Sequence, residues 1–409
     1  MTARSVAAEV VRRVFEDGAY ADRVFRSAAA GLDARDRGFA QRLAYGTIQR
    51  VRTLVHAIET LGRRPVRKLD PPVRTALRIG AYQLAELDVP QHAAVNESVE
   101  LVRAAGLERA VAFTNAVMRR LSEGIRELVD ALPEGALKHS YPDWVEEVWT
   151  RDLGRDGALA LMRAQNEPPE TVVRWNSRRG DVGVHLHHWG NARLDPDLPD
   201  AVHVDRVDDE ALAAGLIWPQ SRGSQLAGIC VASQEGERVL DLCAAPGGKA
   251  TQVAGEVTAV EKHPGRAREL EENCARLGAT NVNVVRADAL ELPPGLNGYD
   301  RALVDAPCSG LGVLAARPDL RWRAEPLPEL QLGLLRAAVE RVRPGGTVVY
   351  SVCTINADEN EAVVDASGLE VEPLGDEWPR YAHPRRPEFL LTLPHEHGTS
   401  GFFIARLRS

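Results

Sequence analysis

The sequence has little cysteine, little lysine and no long apolar run, and each shortage excludes a class of protein. Its 409 residues contain five scattered cysteines, an odd number without a Cys-x-x-Cys pair. This usage argues against a disulfide framework and a zinc site, and it predicts a reducing, cytoplasmic compartment. No apolar run approaches the roughly 20 residues needed to span a bilayer, and residues 1–30 lack the apolar core of an export signal. We therefore expect no membrane association.

Charge is unevenly distributed along the chain. The formal net charge of −8 by itself argues against a nucleic-acid partner. Residues 1–135 nevertheless hold 21 basic and 17 acidic side chains, so the acidic excess lies entirely in the remainder. A basic module on an acidic body is compatible with RNA binding and equally with an ordinary solvated surface. Arginine supplies nearly all the positive charge, and the only lysines are Lys68, Lys138, Lys249 and Lys262.

Three segments differ in their hydrophobic pattern. Residues 1–130 repeat apolar side chains at spacings of three and four, which predicts an all-α domain of five to seven short helices with breaks near Gly62–Pro65, Pro71–Pro72 and Val89–Pro90. Residues 136–230 are rich in proline and glycine and predict a small α+β connector domain. In residues 231–409, short apolar runs alternate with helical segments, which indicates an α/β, doubly wound parallel sheet.

The elements predicted for this last domain fix where its chemistry should lie. The strands are Arg238–Cys243, Val257–Glu261, Val282–Ala287, Tyr299–Asp305, Gly346–Cys353 and a late strand at Gly401–Arg408. The helices are Lys249–Gly255, Pro264–Leu277, Glu329–Val342 and Asp358–Ala366. Ligands of such sheets bind beyond the carboxyl ends of the strands.

A glycine-rich turn follows the first predicted strand, in the run Asp-Leu-Cys-Ala-Ala-Pro-Gly-Gly-Lys at 241–249. Paired glycines let the backbone approach a ligand closely, and the run is not the Gly-x-Gly-x-x-Gly fingerprint of dinucleotide sites. Asp241 and the acids that close the next three strands, Glu261, Asp288 and Asp305, could accept hydrogen bonds from ribose hydroxyls and an adenine amino group. One such acid is commonly just solvent-exposed, but four at one edge predict an adenosine-binding rim, with Lys249 beside it.

Two further cysteines end neighbouring segments, Cys308 in Asp-Ala-Pro-Cys-Ser-Gly and Cys353 in Tyr-Ser-Val-Cys-Thr. If their strands are adjacent, about 4.8 Å apart, both sulfurs line one pocket. The remaining cysteines are interpreted as packing residues: Cys230 and Cys274 as buried small hydrophobes, and Cys243 within the glycine turn.

A thiol pair beside a nucleoside rim suits methylation of cytosine at C5. That carbon is a poor nucleophile until a thiolate adds to C6, so covalent catalysis divides one hard step into easier ones. A second thiol could help to remove the C5 proton or to release the product, and Asp305 is placed to protonate N3. The base must be unstacked to be reached, so we expect a flipped or single-stranded target.

These motifs resemble the Sun/RsmB group of bacterial 16S rRNA cytosine-5 methyltransferases, within the Nop/Sun superfamily. The matching runs are Asp241–Lys249, Asp305–Gly310, Pro318–Trp322, Ser351–Glu361 and His397–Phe403. Three earlier runs resemble the NusB-like RNA-binding domain of the same group, namely Asp36–Phe39, Leu77–Tyr82 and Asn115–Arg120. The resemblance covers nearly the whole chain and implies a Rossmann-like class I methyltransferase domain behind an all-α NusB-like domain.

The resemblance also implies roles that spacing alone leaves open. It makes Cys353 the nucleophile and Cys308 the residue that aids release, with Asp305 and Lys249 completing the catalytic set. It implies S-adenosylmethionine as cofactor, bound by Cys243, Ala244, Ala245, Pro246, Gly247, Gly248, Lys249, Glu261, Asp288 and Asp305. The implied partner is RNA, specifically 16S rRNA, free or in an assembling subunit, and we expect a monomer. Expected phosphate contacts are Arg35, Arg37, Arg50, Arg119 and Arg120.

The sequence departs from the family pattern at Val352, usually Thr, at Ala357, usually Pro, at Ser400, usually Asp, and at Ser221, often an acid. None of these departures removes a catalytic group. Two alternatives stay open. An amino-group methyltransferase on the same fold carries an Asn/Asp-Pro-Pro-Tyr type turn and needs no thiol, and a non-enzymatic RNA-binding module with a vestigial methyltransferase body would tolerate loss of Cys353 or Lys249.

Overall fold

The computed structural model describes residues 2–184 and 186–409, and the chain forms two compact units. The first unit comprises Met1–Glu167 together with Leu314–Arg323, and the second comprises Pro168–Val313 and Ala324–Ser409. The predicted connector, residues 136–230, is therefore divided between the units. The segment Leu314–Arg323 follows Cys308 along the chain and folds with the helical unit.

The first unit is helical, as its hydrophobic pattern predicts. Its helices are α1 Ala3–Glu16, α2 Ala21–Ala28, α3 Ala34–Gly62, α4 Pro71–Glu86, α5 Gln91–Ala104, α6 Glu108–Asp130, α7 Ala136–His139 and α8 Asp143–Ala164. The predicted breaks at Gly62–Pro65 and Val89–Pro90 separate α3 from α4 and α4 from α5, whereas Pro71–Pro72 forms the first turn of α4. However, α3 has 29 residues and α6 has 23, so the expectation of short helices was wrong for both. Gly154, at φ 75°, interrupts α8 with a kink.

Local chemistry explains where these helices begin and how closely they pack. Thr2 and Ser5 form a reciprocal capping box at the start of α1, and the Asp33 carboxylate caps α3. A Cβ on Gly46 would lie 2.1 Å from the ring of Tyr82. Glycine at this position therefore lets α3 and α4 pack ring against backbone.

The second unit begins with a small antiparallel sheet. Its strands are β1 Val172–Trp175, β2 Arg193–Leu194, β3 Ala201–His203 and β4 Ile217–Pro219, in the order β2-β3-β1-β4. Val173, Trp175, Val202 and Ile217 form a small core of their own. The helices α9 Asp209–Ala213 and α10 Arg222–Ile229 then lead to the larger sheet.

The larger sheet has the predicted doubly wound topology. Its strands are β5 Arg238–Asp241, β6 Glu256–Val260, β7 Val282–Val285, β8 Tyr299–Asp305, β9 Val342–Val352, β10 Glu370–Glu372, β11 Leu390–Thr392 and β12 Phe402–Arg408. The order is β10-β12-β9-β8-β5-β6-β7, with β11 paired to β12. Strands β5 to β9 pair in parallel, and β10 to β12 close the sheet with antiparallel pairs. Strand order reverses at β5, between β8 and β6, where such sheets bind ligands.

One predicted helix of this unit is absent, and another begins late. The helices are α11 Pro264–Leu277, α12 Pro328–Val339, α13 Glu361–Ser367 and α14 Pro394–His397. Lys249–Gly255 forms turns rather than a helix, so Lys249 does not begin one. The chain makes successive turns there, and Gly255 (φ 80°) leads directly into β6. The helix predicted from Asp358 begins at Glu361, because Asn356 accepts hydrogen bonds from the backbone in the preceding turn.

Short 3-10 helices lie at Val66–Lys68, Ser177–Arg179, Val182–Val184, Leu186–Trp189, Pro318–Trp322 and Pro379–Tyr381. Among the described residues, no helix combines the length and apolar character needed to cross a membrane.

Candidate active site

The two candidate catalytic cysteines lie side by side at the carboxyl edge of the large sheet. β8 and β9 are parallel neighbours in which Asp305 pairs with Ser351. Cys353 follows β9 directly, and Cys308 lies three residues beyond β8. Their Sγ atoms are 3.4 Å apart, within reach of an S–H···S hydrogen bond, and both side chains are half-buried.

The contact between the two thiols shifts their pKa values in opposite directions. The hydrogen bond from Cys308 lowers the pKa of Cys353 below its ordinary value, and Lys249 acts in the same direction. The pKa of Cys308 is raised by that bond and by burial. Burial also raises the pKa of Cys230 to about 12, that of Cys274 to about 11, and that of Cys243 further still. Cys353 is thus the thiol most readily ionised.

Lys249 and Asp305 form an ion pair beside the cysteines, in which Lys249 is buried and the Asp305 side chain is 30% exposed. The Nζ of Lys249, whose residue is 8% exposed, lies 2.7 Å from Oδ2 of Asp305. The other carboxylate oxygen accepts a hydrogen bond from Ser351 Oγ at 2.9 Å. The Lys249 ammonium also lies 5.0 Å from the ring centroid of Phe402. The sequence identified Lys249 and Asp305, but not Ser351 or Phe402.

The glycine turn is held by Thr251 and, through it, by buried Arg174, two residues that the sequence alone did not indicate. Gly247 has φ +109°, a conformation that residues with a Cβ rarely adopt. Thr251 Oγ1 donates to the carbonyl oxygen of Gly247 at 2.7 Å and accepts from Arg174 Nη2 at 2.8 Å. Arg174 belongs to β1 of the small sheet and is 4% exposed. An arginine inside the apolar run Val172–Trp175 is the signal that could have marked it.

The predicted acidic rim lies at the same edge of the sheet. Asp241 ends β5 and Asp305 ends β8, while Glu261 follows β6, and Asp288 lies three residues beyond β7 rather than closing it. Burial, with Asp305 as a further cause, raises the pKa of Asp241 to about 7. Glu261 accepts from the backbone N–H of His263 at 2.8 Å. An ion pair with exposed Lys262 at 2.6 Å lowers the pKa of Asp288.

The chemistry of this donor set fits a nucleoside that carries a cationic group. Carboxylate oxygens accept hydrogen bonds from ribose hydroxyls and amino groups, and they attract positive charge. Of the predicted cofactor residues, Cys243 to Gly248 form the glycine turn that follows β5. Cys243 is half-buried in this turn. The structure therefore gathers every predicted site residue at one edge of one sheet. Among the described residues, no group of three or more acids, histidines and cysteines could hold a metal ion.

Behind the cysteines lies a buried carboxylate that was not singled out from the sequence. Glu359 is 0% exposed. Its carboxylate accepts from the backbone N–H groups of Ser309 at 2.9 Å and Leu327 at 3.1 Å, and from Gln331 Nε2 at 2.9 Å. Ser309 Oγ in turn lies 2.7 Å from Thr354 Oγ1. The residues that directly follow the two cysteines are thus joined to one another and to Glu359.

The predicted RNA contacts fall into two groups. Arg35, Arg37, Arg119 and Arg120 are exposed. Arg50 is half-buried and pairs with Glu86 at 2.8 Å, so its charge is partly offset.

Two family profiles together match most of the chain. Residues 228–408 match the family described as 16S rRNA methyltransferase RsmB/F, and residues 1–123 match the NusB family. The chain is 32% identical over its whole length to a protein of Synechocystis sp. named "Probable ribosomal RNA small subunit methyltransferase B", of which 99% is covered. It is 31% identical to the ribosomal RNA small subunit methyltransferase B of Xylella fastidiosa, over 99% of this chain and 97% of that protein.

Solved structures show the same fold. The crystal structure of PH0851 superposes with a TM-score of 0.83 at 22% identity, over 100% of this chain and 99% of that one. The structure titled NSun6 from Pyrococcus horikoshii with SFG superposes with a TM-score of 0.60 at 23% identity, over 66% of this chain and 98% of that one. At these identities the superpositions speak for the fold alone.

Proposed function

The chain belongs to the RsmB/F family of rRNA methyltransferases, which use S-adenosylmethionine, and on that premise we propose that it methylates C5 of a cytosine in 16S rRNA. The observation that carries the cytosine-5 assignment is the thiol pair, Cys308 and Cys353 at 3.4 Å. Methylation of an amino group has no use for a thiolate, whereas C5 methylation requires a nucleophile at C6.

Residues at the carboxyl edge of the sheet would hold S-adenosylmethionine. The acceptors Asp241, Glu261 and Asp288 suit its hydroxyl and amino groups, and the turn of Cys243–Gly248, with Lys249 after it, borders them. When bound, S-adenosylmethionine supplies an electrophilic methyl group on a sulfonium centre.

We assign the nucleophile to Cys353. Its thiolate forms a bond to C6, the C5–C6 double bond opens, and N3 gains a proton for which the Lys249–Asp305 pair is the source. C5 is then nucleophilic and takes the methyl group. A base, a role for which Cys308 is placed, takes the C5 proton, and cleavage of the S–C6 bond restores the C5–C6 double bond and the free thiolate. N3 then returns its proton to the Lys249–Asp305 pair, which leaves neutral 5-methylcytosine. Cys308, 3.4 Å from Cys353, assists this release.

We propose three parts for the chain, residues 1–130 as an RNA-binding domain, 136–230 as a connector and 231–409 as the methyltransferase domain. The exposed Arg35, Arg37, Arg119 and Arg120 would contact phosphates, so binding should weaken steeply with salt. A cytoplasmic monomer is the form we propose for the working enzyme.

The test uses the full-length protein, radiolabelled S-adenosylmethionine and unmodified 16S rRNA, followed by nucleoside analysis. Wild type should yield 5-methylcytosine, and Cys353→Ala should yield none. Cys308→Ala should stall as a protein–RNA adduct that survives a denaturing gel. Cys274→Ala, at a cysteine remote from the pair in sequence and buried in the core, is the matched control and should retain activity.

The alternatives give different products. If Cys353→Ala still forms 5-methylcytosine, the nucleophile is misassigned. A label on an exocyclic nitrogen would indicate the amino-group methyltransferase, and RNA binding without any methylation would indicate the binding module.

A further inference from the structure

An exposed tyrosine in the helical unit lies among three arginines. Of the described residues, Tyr20, Leu194 and Leu290 are the large hydrophobic side chains left exposed, and Tyr20 is 39% exposed. The guanidinium carbons of Arg323, Arg23 and Arg317 lie 4.2, 5.3 and 5.6 Å from its ring centroid.

This surface is built from two parts of the chain that are far apart in sequence. Tyr20 directly precedes α2, which contains Arg23. Arg317 and Arg323 belong to Leu314–Arg323, the segment that follows Cys308 and folds with the helical unit. We call Tyr20, Arg23, Arg317 and Arg323 the Tyr20 surface.

Buried contacts hold the second segment in place. Arg321 is 1% exposed and donates to the carbonyl oxygens of Ser140 at 3.2 Å and Gln165 at 2.9 Å. Trp322 Nε1 donates to the carbonyl oxygen of Ile48 at 2.7 Å. The backbone that carries Arg323 is therefore fixed before any ligand binds.

Within the surface, two arginines keep an available charge. Arg317 lies 3.6 Å from carboxylate oxygens of both Asp22 and Asp319, which offset it. Arg23 and Arg323 are exposed, and within the described part of the chain neither forms an ion pair. Arg323 does donate to the carbonyl oxygen of Gly18 at 2.7 Å, which orients its guanidinium group without neutralising it.

We propose that the Tyr20 surface binds a single-stranded segment of the RNA substrate, with a base on the Tyr20 ring and phosphates on Arg23 and Arg323. Aromatic rings interleaved with guanidinium groups are how proteins hold unpaired RNA, because stacking and phosphate contacts act together. A protein partner would need a wider apolar patch, whereas arginines surround this one ring. The inference rests on the proposed function, since it names where the RNA of that reaction is held.

The test is steady-state methylation of 16S rRNA by the full-length protein. Tyr20→Ala should raise the KM for RNA about tenfold, while Tyr20→Phe, which keeps the ring, should match wild type. Arg323→Gln should raise the same KM and lower the salt slope of RNA binding by about 1, and Arg323→Lys should restore part of both. The KM for S-adenosylmethionine and kcat should stay within about twofold in all four variants.

Arg109→Gln is the matched control. Arg109 is an arginine of the same unit whose side chain is 79% exposed and whose charge is offset by Asp70 at 3.2 Å, so its substitution should leave the KM for RNA unchanged. The melting temperature of each variant separates a loss of RNA affinity from a loss of folding, because Tyr20→Ala should lose affinity at an unchanged melting temperature.

Different failures identify different errors. If wild type forms no 5-methylcytosine, the proposed function fails, and fluorescence anisotropy with a labelled 16S fragment still tests the surface. If wild type is active but Tyr20→Ala keeps its KM for RNA, the inference is wrong. Weakened binding to small-subunit particles with unchanged binding to naked rRNA would assign the surface to a protein partner and also overturn it.

Discussion

The carboxylate of Glu359 accepts a hydrogen bond from the backbone N–H of Ser309, the residue after Cys308, at 2.9 Å. Ser309 Oγ also contacts Thr354 Oγ1, and Thr354 follows Cys353. The distance between the two sulfurs therefore depends on a carboxylate that touches neither of them.

Substitution of Glu359 should slow catalysis without weakening the binding of either substrate. Glu359→Gln places an amide nitrogen where donors converge, so the Cys308 loop should shift, and a shift near 1 Å can cost about a hundredfold. We expect kcat to fall by about tenfold or more, with the KM values for RNA and S-adenosylmethionine nearly unchanged. Glu359→Ala should also lower the free energy of unfolding by about 3 kcal/mol, because several buried donors lose their acceptor. Steady-state kinetics and urea unfolding measure these effects, with exposed Glu329→Gln as control, and normal kcat in Glu359→Gln would refute the positioning role.

The lowered pKa of Cys353 predicts selective alkylation. Iodoacetamide reacts with thiolates, so near neutral pH it should label Cys353 before the other four cysteines, whose pKa values are all raised. Since a thiol ionises above its pKa, the rate should rise with pH, and the midpoint of that rise should lie below the ordinary pKa of 9.0. Cys308→Ala removes the hydrogen bond, so the profile should move to higher pH. Mass spectrometry of peptides measures each rate, and an unmoved profile would show that Cys308 does not assist ionisation.

Sequence reasoning placed the residues at strand ends correctly, and it failed to find contacts between distant segments. Cys308, Cys353 and Asp305 could be placed together because parallel strands end at a common edge. The contacts of Arg174 with Thr251 join segments that no periodicity links. Likewise, nothing in the run Pro318–Trp322 indicates that it folds with helices from the first part of the chain.

Local geometry also limited what could be predicted from the sequence. Lys249–Gly255 forms turns between the glycine turn and β6, although its residue pattern predicts a helix. Glu359 lies in an acidic run, Asp358–Glu361, that composition alone would assign to solvent. Backbone and side-chain donors from separate segments converge on it, and no sequence pattern links those segments.

Thr251 should control the affinity for S-adenosylmethionine, because its hydroxyl joins Arg174 to the carbonyl oxygen of Gly247. Thr251→Val keeps the shape and removes both hydrogen bonds, so the Kd for S-adenosylmethionine should rise about tenfold. Thr251→Ser keeps the hydroxyl and should bind almost as wild type does. Isothermal titration measures both variants in the absence of RNA. Equal affinities for the two would show that the glycine turn holds its form without Thr251.

Asp241 should make stability depend on pH. Its pKa is raised from 3.8 to about 7 in the folded protein, by burial and by Asp305. The unfolded chain therefore releases its proton first, so the carboxyl group stabilises the fold least at high pH. The free-energy cost of ionising the buried Asp241 carboxyl group is absent below about pH 4, grows as pH rises, and reaches its full value above about pH 7.

Asp241→Asn removes that penalty and keeps an oxygen for the Cys243 N–H, which Asp241 Oδ1 accepts at 3.2 Å. At pH 8 we expect the variant's free energy of unfolding to exceed that of wild type by about 2 to 4 kcal/mol, so its urea midpoint should be higher. Near pH 4 the two midpoints should be equal. Its affinity for S-adenosylmethionine should fall, because an amide no longer offers a charge to a cationic ligand. Urea titrations at the two pH values measure the first effect and calorimetry the second. An equal gain at both pH values would mean that the substitution acts through packing and not through ionisation of the carboxyl group.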